Sequence, residues 1–447
     1  MVVDSGARGH ALARSYLDSG VDGVLVTPGN DGLRGDFINQ NLTGPQFILT
    51  TPHDITSLKD PESILKTAKM YQPNLIDVAQ DDALANGTVD LLQHYGFSVF
   101  GPTQDAAQIE WDKAWSRKFM KRHNIPHPEY RIFHRDTNPS LIVNYAKDLL
   151  KKHEKIFFKA SGLYAGKGVI GVESKKDITL ALEKLADMGE ASQTFLVEQG
   201  LQGQEFSYYV MSDGEHILDF NRAAQDNKRV FNQDKGENTG GMGAHSPVQI
   251  LNGLEWKVMK DIIKPTIQGL KKEDRLYTGI LYLGGMLCDD GSIKVVEFNS
   301  RWGDPECHVI LPSITKSNGA SYLDLVNSAL EQKLDKKHLH KDHTPRVSIV
   351  GASTGYPGDY EKVKGKRLFI DYKGVPEGVN FLSAGIKVQD NKMYIAGGRI
   401  FSTVASGNTL MNAREKALAA MACCHVEGNG LHYRTDIAWR EIEWLWR

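Results

Sequence analysis

The chemically densest stretch of the chain is Val295-Val296-Glu297-Phe298-Asn299-Ser300-Arg301. Its apolar lead-in predicts a β-strand, on which alternate side chains share a face, so Glu297, Asn299 and Arg301 are expected side by side. Two oxygen donors, completed by water and phosphate oxygens, are how magnesium is commonly held at a nucleotide. An arginine beside them can grip a carboxylate bidentately. Gly303-Asp304-Pro305-Glu306 turns the chain directly afterwards. A polar outer face on an edge strand is the bland alternative, and the chemical match of the three side chains disfavours it.

Other segments supply groups suited to phosphate. The loop Ala160 to Gly168 follows a predicted strand ending in Lys159 and contains Gly162, Gly166, Lys167 and Gly168. Glycines let backbone amides approach phosphate oxygens, and lysines add charge. It is not a Walker A loop: three residues separate Gly162 from Gly166, and Gly168 stands where a magnesium-binding Ser or Thr would be. Glu198 and Glu205 flank a turn and could accept hydrogen bonds from an adenine amino group or ribose hydroxyls, although surface acids are common. Gly236 to Ala244, with Asn238, Thr239, Gly240 and Gly241, reads as a backbone-lined ligand loop, and Gln225 to Arg229 upstream adds polar and basic groups. Asp4-Ser5-Gly6-Ala7-Arg8-Gly9-His10 follows the first strand and opens a helix, whose N-terminus beside Arg8 is an anion site by type.

These residues need a scaffold. Short apolar runs at 2–3, 23–26, 75–78 and 97–100 alternate with amphipathic stretches, predicting a parallel sheet with helices on both faces. Gly101-Pro102-Thr103 reads as a hinge out of this unit, and a helix is expected over 104–123. Strands at 155–159, 194–198, 205–211 and 292–298 build a long α+β middle section, and 333–343 reads as a surface linker before a final α/β segment. With 447 residues, 41% hydrophobic and 24% charged, two to four domains with sizeable cores are expected. A net charge of −2 gives no global attraction for nucleic acid or acidic membranes. Cys288, Cys307, Cys423 and Cys424 have neither CxxC nor zinc spacing, so reduced thiols in a soluble cytoplasmic protein are expected.

Taken in order, the segments resemble the phosphoribosylamine–glycine ligases (glycinamide ribonucleotide synthetases) over nearly the whole chain. The resemblance is carried by Gly101-Pro102-Thr103 with Lys113, SGLYAGKG at 161–168, QDNKR at 225–229, ENTGGMGAHSP at 237–247 and EFNSRWGDPE at 297–306. Gly355 to Tyr360, Gly397-Gly398-Arg399 and Tyr433 to Ile437 extend it towards the C-terminus. It implies a preATP-grasp parallel-sheet domain over 1–103 and an ATP-grasp core over 104–332, with a mobile lid at 125–200. A mixed α/β C-terminal domain over 345–447 completes the implied fold.

The same resemblance implies that glycine is activated by ATP as glycyl phosphate and joined to 5-phosphoribosylamine. Lys113 and Lys159 match the lysines on the ATP phosphates, with Gly162, Gly166, Lys167 and Gly168 as lid loop. Glu198 matches the adenine side and Glu205 the ribose acceptor. Glu297 and Asn299 match ligands of magnesium or manganese. Lys159 and Arg301 are implied to neutralise charge in catalysis, and Arg301, Asp304 and Asn238 to Gly241 to hold glycine. Gly6, Arg8, His10, Pro28, Gly29 and Asn30 are implied on the phosphoribosylamine side. There the family's Gly-rich Arg-Glu-His loop and its Gly-Pro-Glu are replaced by Ser5 to His10 and by Ala79-Gln80-Asp81-Asp82. The expected partners are the small molecules glycine and 5-phosphoribosylamine, with no nucleic acid or membrane, and a monomer or small homo-oligomer is expected. A ligase for a different amine and a catalytically silent nucleotide-binding homologue are the rival readings.

Overall fold

A computed structural model describes residues 1–39, 46–51, 56–164, 168–315, 319–335, 339 and 342–444. The first unit runs β1 (Val2–Asp4), α1 (Ala7–Asp18), β2 (Gly23–Pro28), β3 (Phe47–Thr50), α2 (Pro61–Tyr71), β4 (Ile76–Val78), α3 (Asp81–Ala85), α4 (Thr88–His94) and β5 (Val99–Phe100). Its strands pair in parallel in the order β3-β2-β1-β4-β5. The order reverses between β1 and β4, and a crevice opens at such a switch point beyond the carboxyl ends of the strands. The loop after Asp4 and the segment from Ala79 to Asp82 both sit there. Strand β3 was not anticipated: it is a short edge strand, and its Phe47 and Leu49 are exposed.

The helix expected over 104–123 breaks in two, α5 (Gln104–Trp111) and α6 (Lys113–Arg122). Asp112 between them is extended, and its carboxylate accepts from the Trp115 amide at 3.0 Å. Next comes a separate four-stranded antiparallel sheet with two helices on it: β6 (Tyr130–His134), α7 (Pro139–Lys152), β7 (Ile156–Ala160), β8 (Val169–Val172), α8 (Lys175–Ala186) and β9 (Thr194–Gln199). It has its own core around Phe133, Phe158, Ile178 and Phe195.

The largest sheet carries the chemistry. It comprises β10 (Gly203–Asp213), β11 (Ile217–Asp226), β14 (Gly243–Ser246), β15 (Thr278–Cys288), β16 (Ile293–Asn299), β17 (Arg346–Ser353) and the strands Arg399–Ser406 and Asn380–Ser383. A small hairpin, β12 (Arg229–Phe231) and β13 (Lys235–Asn238), lies between β11 and β14. The order β16-β15-β10-β11-β14-β17 makes one continuous surface, with β14 zipped antiparallel to β17 from Gly243↔Ile349 to Ser246↔Arg346. Register places Tyr209, Tyr282 and Asn299 in one row across three strands and Ser207, Gly284 and Glu297 two rows along, the next on the same face. A Cβ on Gly284 would sit 3.2 Å from the Glu297 Cγ, so this glycine leaves room for the acid.

The stretch expected as a surface linker is partly built into the fold. Leu334 is buried and its amide donates to Asp213 at 3.1 Å, while Asp342 accepts from Arg346 at 2.6 Å. A polar composition hid these anchors. Among the described residues, no helix is long and apolar enough to cross a membrane.

Candidate active site

Four elements deliver cations to Glu297. Strand β7 brings Lys159, the first residue of α6 brings Lys113, the turn after β11 brings Lys228, and the end of β16 brings Arg301. Burial opposes ionisation of Glu297, but Lys228, Lys159, Lys113 and Arg301 outweigh it and hold its carboxyl below the usual range. For Lys113, burial dominates and lowers the ammonium from its ordinary value despite nearby Glu297. Asn299, two residues on and on the same strand face, is buried with its Nδ2 lacking a partner among the described residues. An ionised carboxylate beside an amide oxygen suits a hard divalent cation, which takes its remaining oxygens from phosphate and water. Among the described residues, no group of three or more His, Cys, Asp or Glu is placed to hold a metal ion.

Glu198 is held by the protein's own cations. It is buried, and its carboxylate accepts from Arg117 Nε at 3.0 Å and Nη2 at 3.3 Å and also pairs with Lys159. Burial pushes this carboxyl up, but Arg117 and Lys159 override it and hold it at about 2. Its oxygens are thus committed to protein cations. Arg117 Nη2 also donates to the Val296 carbonyl at 2.7 Å, tying β9 to the strand that carries Glu297. Glu205 is exposed and pairs with Lys228 at 3.0 Å; this carboxylate outweighs the opposing effect of burial and leaves the Lys228 ammonium raised well above its ordinary value.

Arg301 pairs with Glu110 at 2.9 Å and approaches Asp81 at 3.7 Å, while its Nε has no hydrogen-bond partner among the described residues. Glu110, on α5, also accepts from the Ser300 amide at 2.8 Å. Asp81 is the first of two acids in the segment that departs from the family pattern, so that departure keeps a carboxylate within reach of Arg301.

The residues expected on the amine side come together, but they largely satisfy one another. The Asp4 carboxylate accepts from the amides of Gly6 at 2.7 Å and Gly9 at 3.3 Å and from Arg8 at 2.6 Å. Arg8 also donates to the Trp302 carbonyl at 3.1 Å, and the Asp304 carboxylate receives the Arg8 amide. The helix N-terminus is therefore an anion seat filled by the protein's own acids. His10 is fully buried: Nδ1 accepts from the Ser383 amide at 2.9 Å, which leaves the proton on Nε2, 3.0 Å from Asp36. Asn30 donates to Ser5 and Ser383 carbonyls at 3.0 and 3.3 Å and accepts from Gly32 and Ser383. Gly29, at φ +67°, follows Pro28 and donates to the Asp4 carbonyl at 3.0 Å.

The glycine-rich loop is fastened largely by the protein itself. The amides of Thr239 and Met242 donate to the carbonyls of Lys228 and Asn227, that of Gly240 to the Tyr356 hydroxyl, and that of Gly241 to the Thr239 hydroxyl. With these donors spent, 239–242 is not a nest of free amides; Asn238 is exposed at the end of β13. In the lid loop, the Gly162 amide donates to Ala191 and the Gly168 carbonyl accepts from Ala160; Gly166 and Lys167 lie outside the described residues. Sequence reasoning missed Arg117, Glu110 and Tyr356. Arg117 had a signal, since it stands four residues after Lys113 on one helical face. The others are joined only by tertiary structure.

Comparison with known proteins agrees with this architecture. Residues 1–110 match the phosphoribosylglycinamide synthetase N domain, 111–307 its ATP-grasp (A) domain and 346–440 its C domain. The chain is 36% identical to the phosphoribosylamine–glycine ligase of Escherichia coli O157:H7 over 99% of this chain and 98% of that one. It is 34% identical to the Haemophilus influenzae enzyme of the same name over the same shares. Among solved structures, the phosphoribosylamine–glycine ligase of Thermotoga maritima superposes with a TM-score of 0.78 at 27% identity, covering 98% of this chain and 99% of that one. A biotin carboxylase from Campylobacter jejuni, 14% identical, shares the fold with a TM-score of 0.71 over 99% and 94%. With its N, ATP-grasp and C domains in order and relatives aligned end to end, the chain belongs to the phosphoribosylglycinamide synthetase family.

Proposed function

We infer that the chain is an ATP-dependent ligase that joins glycine to 5-phosphoribosylamine in purine biosynthesis, giving glycinamide ribonucleotide, ADP and phosphate. The observation that carries this reading is the convergence of Lys113, Lys159, Lys228 and Arg301 on Glu297 and Asn299. That set matches a polyphosphate held with a divalent cation, which supplies charge neutralisation at the transferred phosphate when bound. Glu297 and Asn299 would hold it, and magnesium and manganese both suit these oxygen donors. Lys113 and Lys159 take the phosphates, with the 162–168 loop covering them. Glu205 serves the ribose, while Glu198 works on the adenine side at one remove, by fixing Lys159.

A glycine carboxylate oxygen attacks the γ-phosphorus and ADP leaves. The amine of phosphoribosylamine then attacks the acyl carbon, loses a proton and expels phosphate. The chain contributes positioning and fixed charge, with Lys159 and Arg301 facing the charge that develops. Arg301, with Asp304 and the 238–241 loop framing it, holds the glycine carboxylate, because its Nε is free inside the site. We assign phosphoribosylamine to the crevice above β1 and β4, where Arg8, Asp81, Asp304 and Arg301 lie close together. Gly6, His10, Pro28, Gly29 and Asn30 shape that crevice through the backbone they fasten. We take the working units as 1–103, 104–332 and 345–447, with 125–200 as a lid that closes over the acyl phosphate. The separate sheet and core of 130–199 support the lid. The free thiols suit a reducing compartment such as the cytoplasm, where the chain acts on small molecules alone or with a second copy.

A coupled assay for ADP tests the reading. Release is expected only with both glycine and phosphoribosylamine, the latter generated in situ from ribose 5-phosphate and ammonia. Glu297→Ala is expected to abolish it with the thermal midpoint retained. Turnover with glycine and another amine alone, or none at all, would overturn the assignment.

A further inference from the structure

Two motifs near the C-terminus, Gly355 to Tyr360 and Gly397 to Arg399, have no part in the chemistry above, yet both reach Gly240. The Gly240 amide donates to the Tyr356 hydroxyl at 3.0 Å, and the Gly240 carbonyl accepts from Arg399 Nη1 at 2.7 Å. Both backbone polar groups of one residue are thus gripped from the C-terminal unit. The same Nη1 donates to the Asp304 carbonyl at 2.7 Å and lies 3.3 Å from the Asp304 carboxylate. One guanidinium therefore joins the glycine-rich loop to the turn that follows Arg301.

The glycines of these motifs make room for the grip. A Cβ on Gly240 would stand 3.3 Å from both the Arg399 Cζ and the Tyr356 hydroxyl, so a side chain there would press on both partners. A Cβ on Gly398 would come within 2.4 Å of the Tyr356 ring, so the ring lies directly on that backbone. Ser353 fastens the two motifs together, its amide donating to the Gly398 carbonyl at 2.7 Å and its hydroxyl to the Gly397 carbonyl at 2.8 Å. The loop then runs straight into β14, which pairs with β17.

We propose that Tyr356 and Arg399 are positioning residues for glycine: they clamp the 239–241 loop and the 304–306 turn so that Arg301 meets the substrate carboxylate in register. This rests on the ligase reading above and adds to it a role for the C-terminal unit. The clamp does not touch the Lys113, Lys159 and Glu198 side, so nucleotide binding is separable from it.

Steady-state kinetics on the full chain test it. Arg399→Ala is expected to raise KM for glycine about tenfold, the loss of roughly one charge-assisted hydrogen bond, while KM for ATP stays within about twofold. Arg399→Lys restores part of the loss, because an ammonium reaches one of the carbonyls. Tyr356→Phe removes one hydroxyl from a half-buried ring and is expected to raise KM for glycine about threefold; it decides the matter if Arg399→Ala fails to fold. A folded Arg399→Ala or Tyr356→Phe chain with unchanged KM for glycine, or with KM for ATP rising in parallel, overturns the clamp. A wild-type chain that does not ligate glycine would instead overturn the functional reading beneath it.

Discussion

Glu198 answers two cations with one buried carboxylate, and this shapes what its loss would do. Glu198→Gln leaves Arg117 and Lys159 without a counter-charge, a change that costs about 3–5 kcal/mol when one partner of a buried pair is removed. The carboxyl is held at about 2 rather than the ordinary 4.5, so its contribution is complete above pH 4.5 and is lost as pH falls towards 2. Denaturant melts of both chains should show a gap on the order of 3 kcal/mol at neutral pH that closes below pH 4.5. A gap independent of pH would place the cost elsewhere. Glu297 and Asn299 were legible because alternate residues of a strand share a face, whereas Arg301 lies in the bend just beyond the strand's end. The partners of Arg301 were not: Glu110 and Asp81 lie far away in the chain, and only packing brings them to it.

The break between α5 and α6 shows the same limit for elements. Residues 104–123 contain neither proline nor glycine, so their pattern reads as one helix. Asp112 nevertheless caps α6, and the two amides that follow it find acceptors outside the helix. Lys113 N donates to the Ser161 carbonyl at 3.1 Å and Ala114 N to the Ser161 hydroxyl at 2.8 Å, while that hydroxyl donates to Asp112 at 2.7 Å. The break aims Lys113 at Glu297 and binds α6 to the end of β7, which carries Lys159. Losing an N-cap costs about 1 kcal/mol, so Asp112→Ala should lower stability by about that amount. Because Lys113 loses its mooring, KM for ATP should rise several-fold with KM for glycine little changed, as initial-rate kinetics would show. Equal rises in both would remove Asp112 from the nucleotide side.

At the scale of the molecule, the ATP-grasp core and the C-terminal unit share one sheet, whereas 130–199 has a sheet and core of its own. Sequence patterning found the parallel sheet and most core strands, but pairing between β14 and β17 is a contact across a hundred residues that no local pattern encodes. Hydrogen exchange followed by mass spectrometry should therefore protect β14 and β17 to the same degree as a single cooperative unit. Amides of 130–199 should exchange faster, through opening that leaves the large sheet intact. Independent exchange of β14 and β17 would separate the two units.

The pairing of charges around the site bears on how the nucleotide arrives. Lys159 and Arg117 are set against Glu198, Lys228 against Glu205, Arg301 against Glu110 and Asp81, and Lys113 against Glu297. Nearly every described cation that greets a phosphate already has an acid as neighbour, so the cleft projects little field into solvent. Long-range steering of an anion needs an unbalanced charge. Capture here depends on close fit after collision, and the ligand recruits lysines and arginines by taking the place of carboxylates they already hold.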